Sequence, residues 1–128
     1  MLVIVGTNAS GKSSLSIELA KKYNGEVVSA DSRQVYKGLD IGSGKVTKKE
    51  MRGIPHYLLN VANSKKRFTA ADFKRLGEKA LHEIWSRDKL PIIAGGTGFY
   101  IDALLARSLL ASVPPNKELR KKLETKWI

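Results

Sequence analysis

The chain has no cysteine, so it can form neither a disulfide nor a thiolate metal site. Its only histidines, His56 and His82, are too few to make a zinc site by themselves. No apolar run approaches the ~18 residues that a membrane-spanning helix needs. The opening Leu2-Val3-Ile4-Val5 is too short for a signal-peptide core and has no basic lead-in. Repeats and low-complexity segments are also missing. What is present is ordinary globular material: 128 residues, 42% apolar and 27% charged. That length suits one domain, and that composition argues against a disordered or fibrous chain. The expectation is a soluble, cytoplasmic α/β protein with no membrane association.

Acidic residues are the scarce charge. There are 12 of them against 23 basic ones, giving a net charge of +11. The excess is uneven. Residues 1–36 carry +1, residues 37–90 carry +7 and residues 91–128 carry +3. Such a field attracts polyanions and speeds their encounter. Charge alone fits a solubilising surface without a partner equally well.

Leu2 to Val5 reads as a buried strand, an aliphatic run closed by Gly6. A loop to Gly11 follows, then a helix from Lys12 with Leu15, Leu19 and Ala20 on one face. Asn24-Gly25 ends it with residues that tolerate a left-handed backbone. Glu26 to Ala30 is a second strand, and Asp31-Ser32 can cap a short turn reaching Tyr36. Residues 37–67 read as a basic, mostly irregular insertion, and a loop that long in a small domain is usually functional. Thr69 starts a helix to about Arg87 with an apolar stripe of Phe73, Leu76, Ala80, Leu81, Ile84 and Trp85. That stripe favours Trp85 as a core residue over a base-stacking platform. Leu90 to Ala94 is a third strand, followed by Gly95-Gly96-Thr97-Gly98 and a helix from Phe99 to about Leu110. Pro114-Pro115-Asn116 opens a last basic helix. The order implies a parallel sheet flanked by helices, thin at three strands. The chain stops at Trp127-Ile128, apolar residues in the middle of a helical pattern, so it is expected to be the N-terminal part of a longer protein, a truncated domain.

Gly6-Thr7-Asn8-Ala9-Ser10-Gly11-Lys12-Ser13 satisfies G-x-x-x-x-G-K-[ST] at every fixed position, between a strand and a helix. The glycines let backbone N–H groups converge on an anion, and the helix N-terminus adds partial positive charge. Lys12 adds a full charge, and the Ser13 hydroxyl can ligate Mg²⁺. The pattern is that of nucleotide- and ATP-binding loops. By itself it establishes a site for a di- or triphosphate and leaves its carrier open. Asp31, just past the second strand, is the strongest candidate for an acidic partner, because in open parallel sheets ligands sit at the carboxyl ends of the strands. A helix cap alone is the other reading of Asp31. Gly95 to Gly98 should reach the same crevice and would bring the Thr97 hydroxyl, although a plain strand-to-helix turn explains it as well.

Taken together, the motifs resemble the tRNA dimethylallyltransferase (isopentenyl-tRNA transferase) family. The resemblance rests on Ser29-Ala30-Asp31-Ser32-Arg33-Gln34-Val35-Tyr36-Lys37-Gly38-Leu39-Asp40-Ile41-Gly42, and on Gly53-Ile54-Pro55-His56-Tyr57-Leu58. It continues with Phe68 to Phe73, with Leu90-Pro91 leading to Gly95-Gly96-Thr97-Gly98-Phe99-Tyr100, and with Pro114-Pro115 before Glu118-Leu119-Arg120. It implies a phosphate-loop α/β core and transfer of a dimethylallyl group from dimethylallyl diphosphate to tRNA. The acceptor would be the exocyclic amine of the adenosine 3′-adjacent to the anticodon. It further implies that residues 6–13 hold the donor diphosphate with Mg²⁺, that Asp31 is the base, and that Lys12 and Thr97 assist. Asp31, Ser32, Arg33, Gln34, Thr97 and Arg120 would contact the tRNA anticodon loop. A monomer is expected.

The chain departs from the family pattern in places. Thr7 and Asn8 stand where Pro and Thr are usual, Gly42-Ser43-Gly44-Lys45-Val46 replaces G-T-A-K-P, and Tyr57 replaces a second His. The family is also about twice as long. Rival readings are an adenylate isopentenyltransferase acting on AMP, a small-molecule phosphate-loop kinase, and an inactive RNA- or anion-binding fragment. Nothing local gives His56 a chemical task, and His82 reads as a surface helix residue.

Overall fold

The computed structural model describes residues 1–39, 44–105 and 116–126. Its centre is a parallel sheet of four strands among these residues: β1 (Leu2–Val5), β2 (Gly25–Ser29), β3 (His56–Tyr57) and β4 (Leu90–Gly95). The spatial order is β1-β4-β2-β3. Both neighbours of β2 run parallel to it, with Val27 level with Ile92 on one side and with His56 on the other. This central position explains why every residue of β2 is buried.

Helix α1 (Lys12–Lys22) covers one face of the sheet, where Ala20 packs on Val27 and Ile92. Helices α3 (Ala70–Ser86) and α4 (Gly98–Leu104) cover the other, around Val28, Phe73, Ile84 and Ile93. The Phe73 and Tyr100 rings stack 4.5 Å apart and join these two helices. Thr69 caps α3: its hydroxyl accepts from the Asp72 N–H while the Asp72 carboxylate accepts from the Thr69 N–H. A short helix, α2 (Lys48–Met51), has the same reciprocal cap from Thr47 and Glu50. The last described helix, α5 (Lys117–Lys126), buries none of its residues.

Several expectations need correction. The sheet has a fourth strand, β3, supplied by the basic segment 37–67. That segment also holds α2 and a bridge between Tyr36 and Ala62, so it is less irregular than expected. β1 pairs only with β4 among the described residues, so Leu2, Val3 and Val5 are exposed rather than buried. On α1 the buried residues are Ser16, Ile17 and Ala20, while Leu15 faces solvent. Ser16 can turn inward because its hydroxyl donates to the Ser13 carbonyl at 2.7 Å. Trp85 is 47% exposed. It lies at the margin of the stripe formed by Phe73, Gly77, Ala80, Leu81 and Ile84, edge-on to His82. The expected reach of α4 to Leu110, the Pro114-Pro115 start and Trp127-Ile128 lie outside the described residues.

A polar clamp ties the edge strand to this core. Glu26 is 5% exposed, and its carboxylate accepts from the Tyr57 hydroxyl at 2.8 Å and from Arg87 Nη2 at 2.6 Å. Arg87 Nη2 also donates to the Tyr57 oxygen. Burial pushes the Glu26 carboxyl upward, but the hydrogen bonds from Arg87 and Tyr57, with the charges of Arg87 and Lys89, outweigh it and leave the group below its ordinary value. A carboxyl lowered by folding stabilises the fold above its unfolded value, near 4.5, and this stabilisation is lost as pH falls through the lower folded value. Wild type should therefore lose stability relative to Glu26→Gln in acid below about 4.5 and show no such convergence nearer neutrality. Urea unfolding of both proteins across that range measures the difference; parallel pH profiles would contradict it.

Candidate active site

Three strand ends build the site. β1 delivers the loop from Gly6 to Gly11, β2 delivers Ala30 and Asp31, and β4 delivers Gly95 and Gly96. They lie close because Gly95 packs against Ala30. A β-carbon at position 95 would stand 2.1 Å from the Ala30 carbonyl oxygen, so only glycine fits. The Thr97 N–H donates to that same carbonyl at 3.1 Å, and the Thr97 hydroxyl oxygen accepts from the Ser32 N–H at 2.9 Å. The turn after β4 is thereby stitched to the turn after β2.

The loop has the conformation its composition implies. Ala9 and Gly11 take positive φ angles of 58° and 86°. Gly11 is the N-cap of α1 and offers no side chain, so no side-chain hydrogen bond caps the first turn of the helix. No acidic residue sits in that turn, while Lys21 and Lys22 occupy the last one, which leaves the helix N-terminus favourable for an anion. Ser10 Oγ donates to the Thr7 carbonyl at 2.7 Å, and Lys12 Nζ folds back to that carbonyl and to Ser10 Oγ.

One cavity of about 480 Å³ joins these parts. Asn8 to Ser14 form one wall, and Asp31, Arg33 and Gln34 form another. Val27, Val46 and Ala94 contribute apolar surface. Asp31 is held by its own turn: Oδ1 accepts from the Arg33 N–H at 2.8 Å and the Gln34 N–H at 3.2 Å. Among the described residues Oδ2 accepts no hydrogen bond. The cap and the cavity-lining position of Asp31 are thus one arrangement and not alternatives.

The remaining expected residues are placed unevenly. Asn8, Ala9, Ser10, Gly11, Lys12 and Ser13 line the cavity, whereas Gly6 and Thr7 do not. Ser32 and Thr97 do not line it and bond to each other. Arg120 is exposed on α5 and does not line it either. Within the basic segment, Lys45 turns inward to the Tyr36 carbonyl and the Asn60 side chain, while Lys65, Lys66 and Arg67 are exposed.

The structure adds a residue for which no task was expected. His56 lines the cavity from β3. Its Nδ1 lies 2.8 Å from the Ile54 carbonyl, which makes Nδ1 the donor and leaves Nε2 as an acceptor. Burial lowers the imidazole's pKa below its ordinary value, and the bond to Ile54 only partly opposes this. The signal for His56 was its place in a recurrent motif; its strand could not be read because two residues carry no periodicity.

Among the described residues no three His, Asp or Glu side chains group as a metal cage. A Mg²⁺ ion carried on a diphosphate does not need one. Mg²⁺ keeps much of its water and takes few protein oxygens. The Ser13 hydroxyl, which lines the same cavity, fits that demand.

A family model described as IPP transferase matches residues 34–128. The chain belongs to that family. It is 44% identical, over 97% of its length, to a tRNA dimethylallyltransferase of Thermoanaerobacter sp. (strain X514). The full-length tRNA isopentenylpyrophosphate transferase of Bacillus halodurans superposes with a TM-score of 0.83 at 42% identity, over 97% of this chain. A eukaryotic dimethylallyltransferase acting on tRNA gives 0.83 at 38% identity. The chain spans 39% of the Thermoanaerobacter relative, and 41% and 31% of the two solved chains.

The Gly95–Ala30 contact makes a firm expectation. Gly95→Ala should destabilise the fold by about 3 kcal/mol or more, because neither backbone can yield without parting the strand ends. Thermal or urea unfolding reads this directly, and an unshifted midpoint would show that the contact is not needed.

Proposed function

We propose that this chain carries the donor-binding and base-bearing part of a tRNA dimethylallyltransferase. The observation that supports it most is the shared cavity: a phosphate loop and a carboxylate with one unengaged oxygen face each other inside a family of tRNA-prenylating enzymes. In this reading the loop amides of residues 8–13 and Lys12 bind the diphosphate of dimethylallyl diphosphate. The apolar surface of Val27, Val46 and Ala94 receives the branched hydrocarbon.

The reaction breaks the allylic carbon–oxygen bond and forms a carbon–nitrogen bond to the exocyclic amine of adenosine 3′-adjacent to the anticodon. Pyrophosphate departs with the bonding electron pair, and the oriented amides and Lys12 stabilise the charge that grows on it. Mg²⁺, which the diphosphate and the Ser13 hydroxyl would hold, would add charge neutralisation at the leaving group. The amine lone pair is delocalised into the purine, so the amine is a weak nucleophile. Asp31 Oδ2 takes its proton while Oδ1 stays anchored by the Arg33 and Gln34 amides. The base must leave its stack to enter the cavity, and a single-stranded anticodon loop makes that inexpensive. Ser32, Thr97 and Arg120, which lie outside the cavity, would touch flanking RNA, and the exposed Lys65, Lys66 and Arg67 would meet its phosphates. We place the enzyme in the cytoplasm and read it as a monomer. A kinase working on ATP and a transferase working on free AMP would also use such a loop. The basic middle segment favours tRNA over either.

The test separates these readings. Labelled dimethylallyl diphosphate and Mg²⁺ are incubated with the chain and unmodified tRNA, and in parallel with AMP or with ATP and acceptors. Label in tRNA is expected; label only in AMP, or ATP consumption, would overturn the reading. Asp31→Ala should reduce turnover by about 10²-fold or more with little change in donor affinity. Lys12→Ala should weaken donor binding itself by about tenfold or more, as loss of a charged hydrogen-bond partner does. Calorimetric titration of the donor distinguishes the two effects.

A further inference from the structure

β3 is only two residues long, yet it sets one wall of the cavity. Backbone pairing does little to hold it. Its register against β2 rests on Val27 with His56 and Val28 with Tyr57, extended by the Val27 N–H donating to the Pro55 carbonyl at 3.0 Å. A strand this short is marginal without side-chain support. The chain also enters and leaves it through left-handed residues: Arg52 and Gly53 before it, Leu58 and Asn60 after it. Leu58 at φ 66° is a branched side chain in a region that such residues avoid. A backbone in that state persists only where its surroundings over-determine it.

Neighbouring residues of a strand project to opposite faces. His56 faces the cavity, on the α1 side with Val27. Tyr57 projects to the α3 side, where its ring packs against the core around Val28 and its hydroxyl meets Glu26 and Arg87. Glu26 belongs to the central strand and Arg87 closes α3, so both partners are anchored in rigid elements.

We propose that Tyr57 is a positioning residue: its hydroxyl, bound to the Glu26–Arg87 pair, locks β3 in register and so sets how the His56 imidazole is presented to the cavity. Its effect on donor binding rests on the function proposed above; its effect on His56 does not. Tyr57→Phe is the informative change. It keeps the ring in the core and leaves Glu26 paired with Arg87, so no buried charge is orphaned. Only the link from the pair to the strand is lost.

Two measurements on the intact chain decide the matter. The first is NMR of the two histidine rings and of the Val27 amide at fixed neutral pH, with exposed His82 as internal reference. Tyr57→Phe should shift the His56 ring resonances toward those of His82, leave His82 in place, and speed Val27 amide exchange at least tenfold. The second is dimethylallyl diphosphate affinity in a double-mutant cycle with His56→Ala. Tyr57→Phe should weaken binding severalfold alone and have no further effect once His56 is gone. An unmoved His56 resonance with unchanged Val27 exchange overturns the proposal, as do additive losses in the cycle. If wild type binds no donor, the proposed function fails, and the resonance and exchange data still decide the role of Tyr57.

Discussion

The backbone of Gly95 rests against the Ala30 carbonyl so closely that no side chain fits between them. Everything at the site depends on that contact. It draws the ends of β4 and β2 together, and the Thr97–Ser32 hydrogen bond then fixes their two turns to each other. Asp31 begins the second of these turns, so its placement is inherited from the sheet. The loop after β1 joins through the parallel pairing of β1 with β4, where Val5 is level with Gly95. A carboxylate and an anion-binding loop from different strand ends thus come to share one cavity through backbone packing and pairing.

The basic segment does a different job from the one its charge suggests. Part of its positive charge is internal: Lys45 holds the Tyr36 carbonyl and the Asn60 side chain, and so fastens the segment to the turn after β2. Gly44 and Val46 line the cavity beside His56. The segment is therefore a wall as well as a charged surface. Exposed lysines and arginines at 48, 49, 65, 66 and 67 remain for a polyanion. Pairing β3 with β2 and clamping Tyr57 on Glu26 prevent that charged loop from peeling away from the site it encloses.

What could be read from the residues follows from how local the cause is. The phosphate loop is specified by a handful of adjacent positions, and the structure has it between a strand and a helix as the motif requires. Asp31 as a cap was legible because an Asp side chain reaches N–H groups two and three residues on. Thr69 was legible as the start of α3, and the structure adds its reciprocal cap with Asp72. Burial was read less well, because it depends on neighbours distant in sequence. Leu2 to Val5 is aliphatic enough for a central strand, yet among the described residues it lies beside β4 alone and is exposed. Leu15 and Trp85 fit apolar stripes on paper, while the sheet meets α1 and α3 at slightly different angles around their axes. β3 and His56 were illegible because their order comes from Glu26 and Arg87, 31 and 61 residues apart from their partners Tyr57 and Glu26.

The loop carries its own stand-in for a ligand. Lys12 Nζ is bonded to the Thr7 carbonyl and approaches Ser10 Oγ, both neutral acceptors within the same turn. An ammonium gains more from an anionic oxygen than from a carbonyl, since charge-assisted hydrogen bonds are roughly twice as strong. A diphosphate entering the cavity would exchange these internal bonds for stronger ones and free the Thr7 carbonyl without reshaping the backbone. Ala9 and Gly11 are already in the left-handed conformations that the turn requires. The cost of organising the loop is therefore met on folding, and binding has only to reorient one flexible side chain. The same holds for Asp31, whose turn is anchored through one carboxylate oxygen and leaves the other without a hydrogen bond among the described residues.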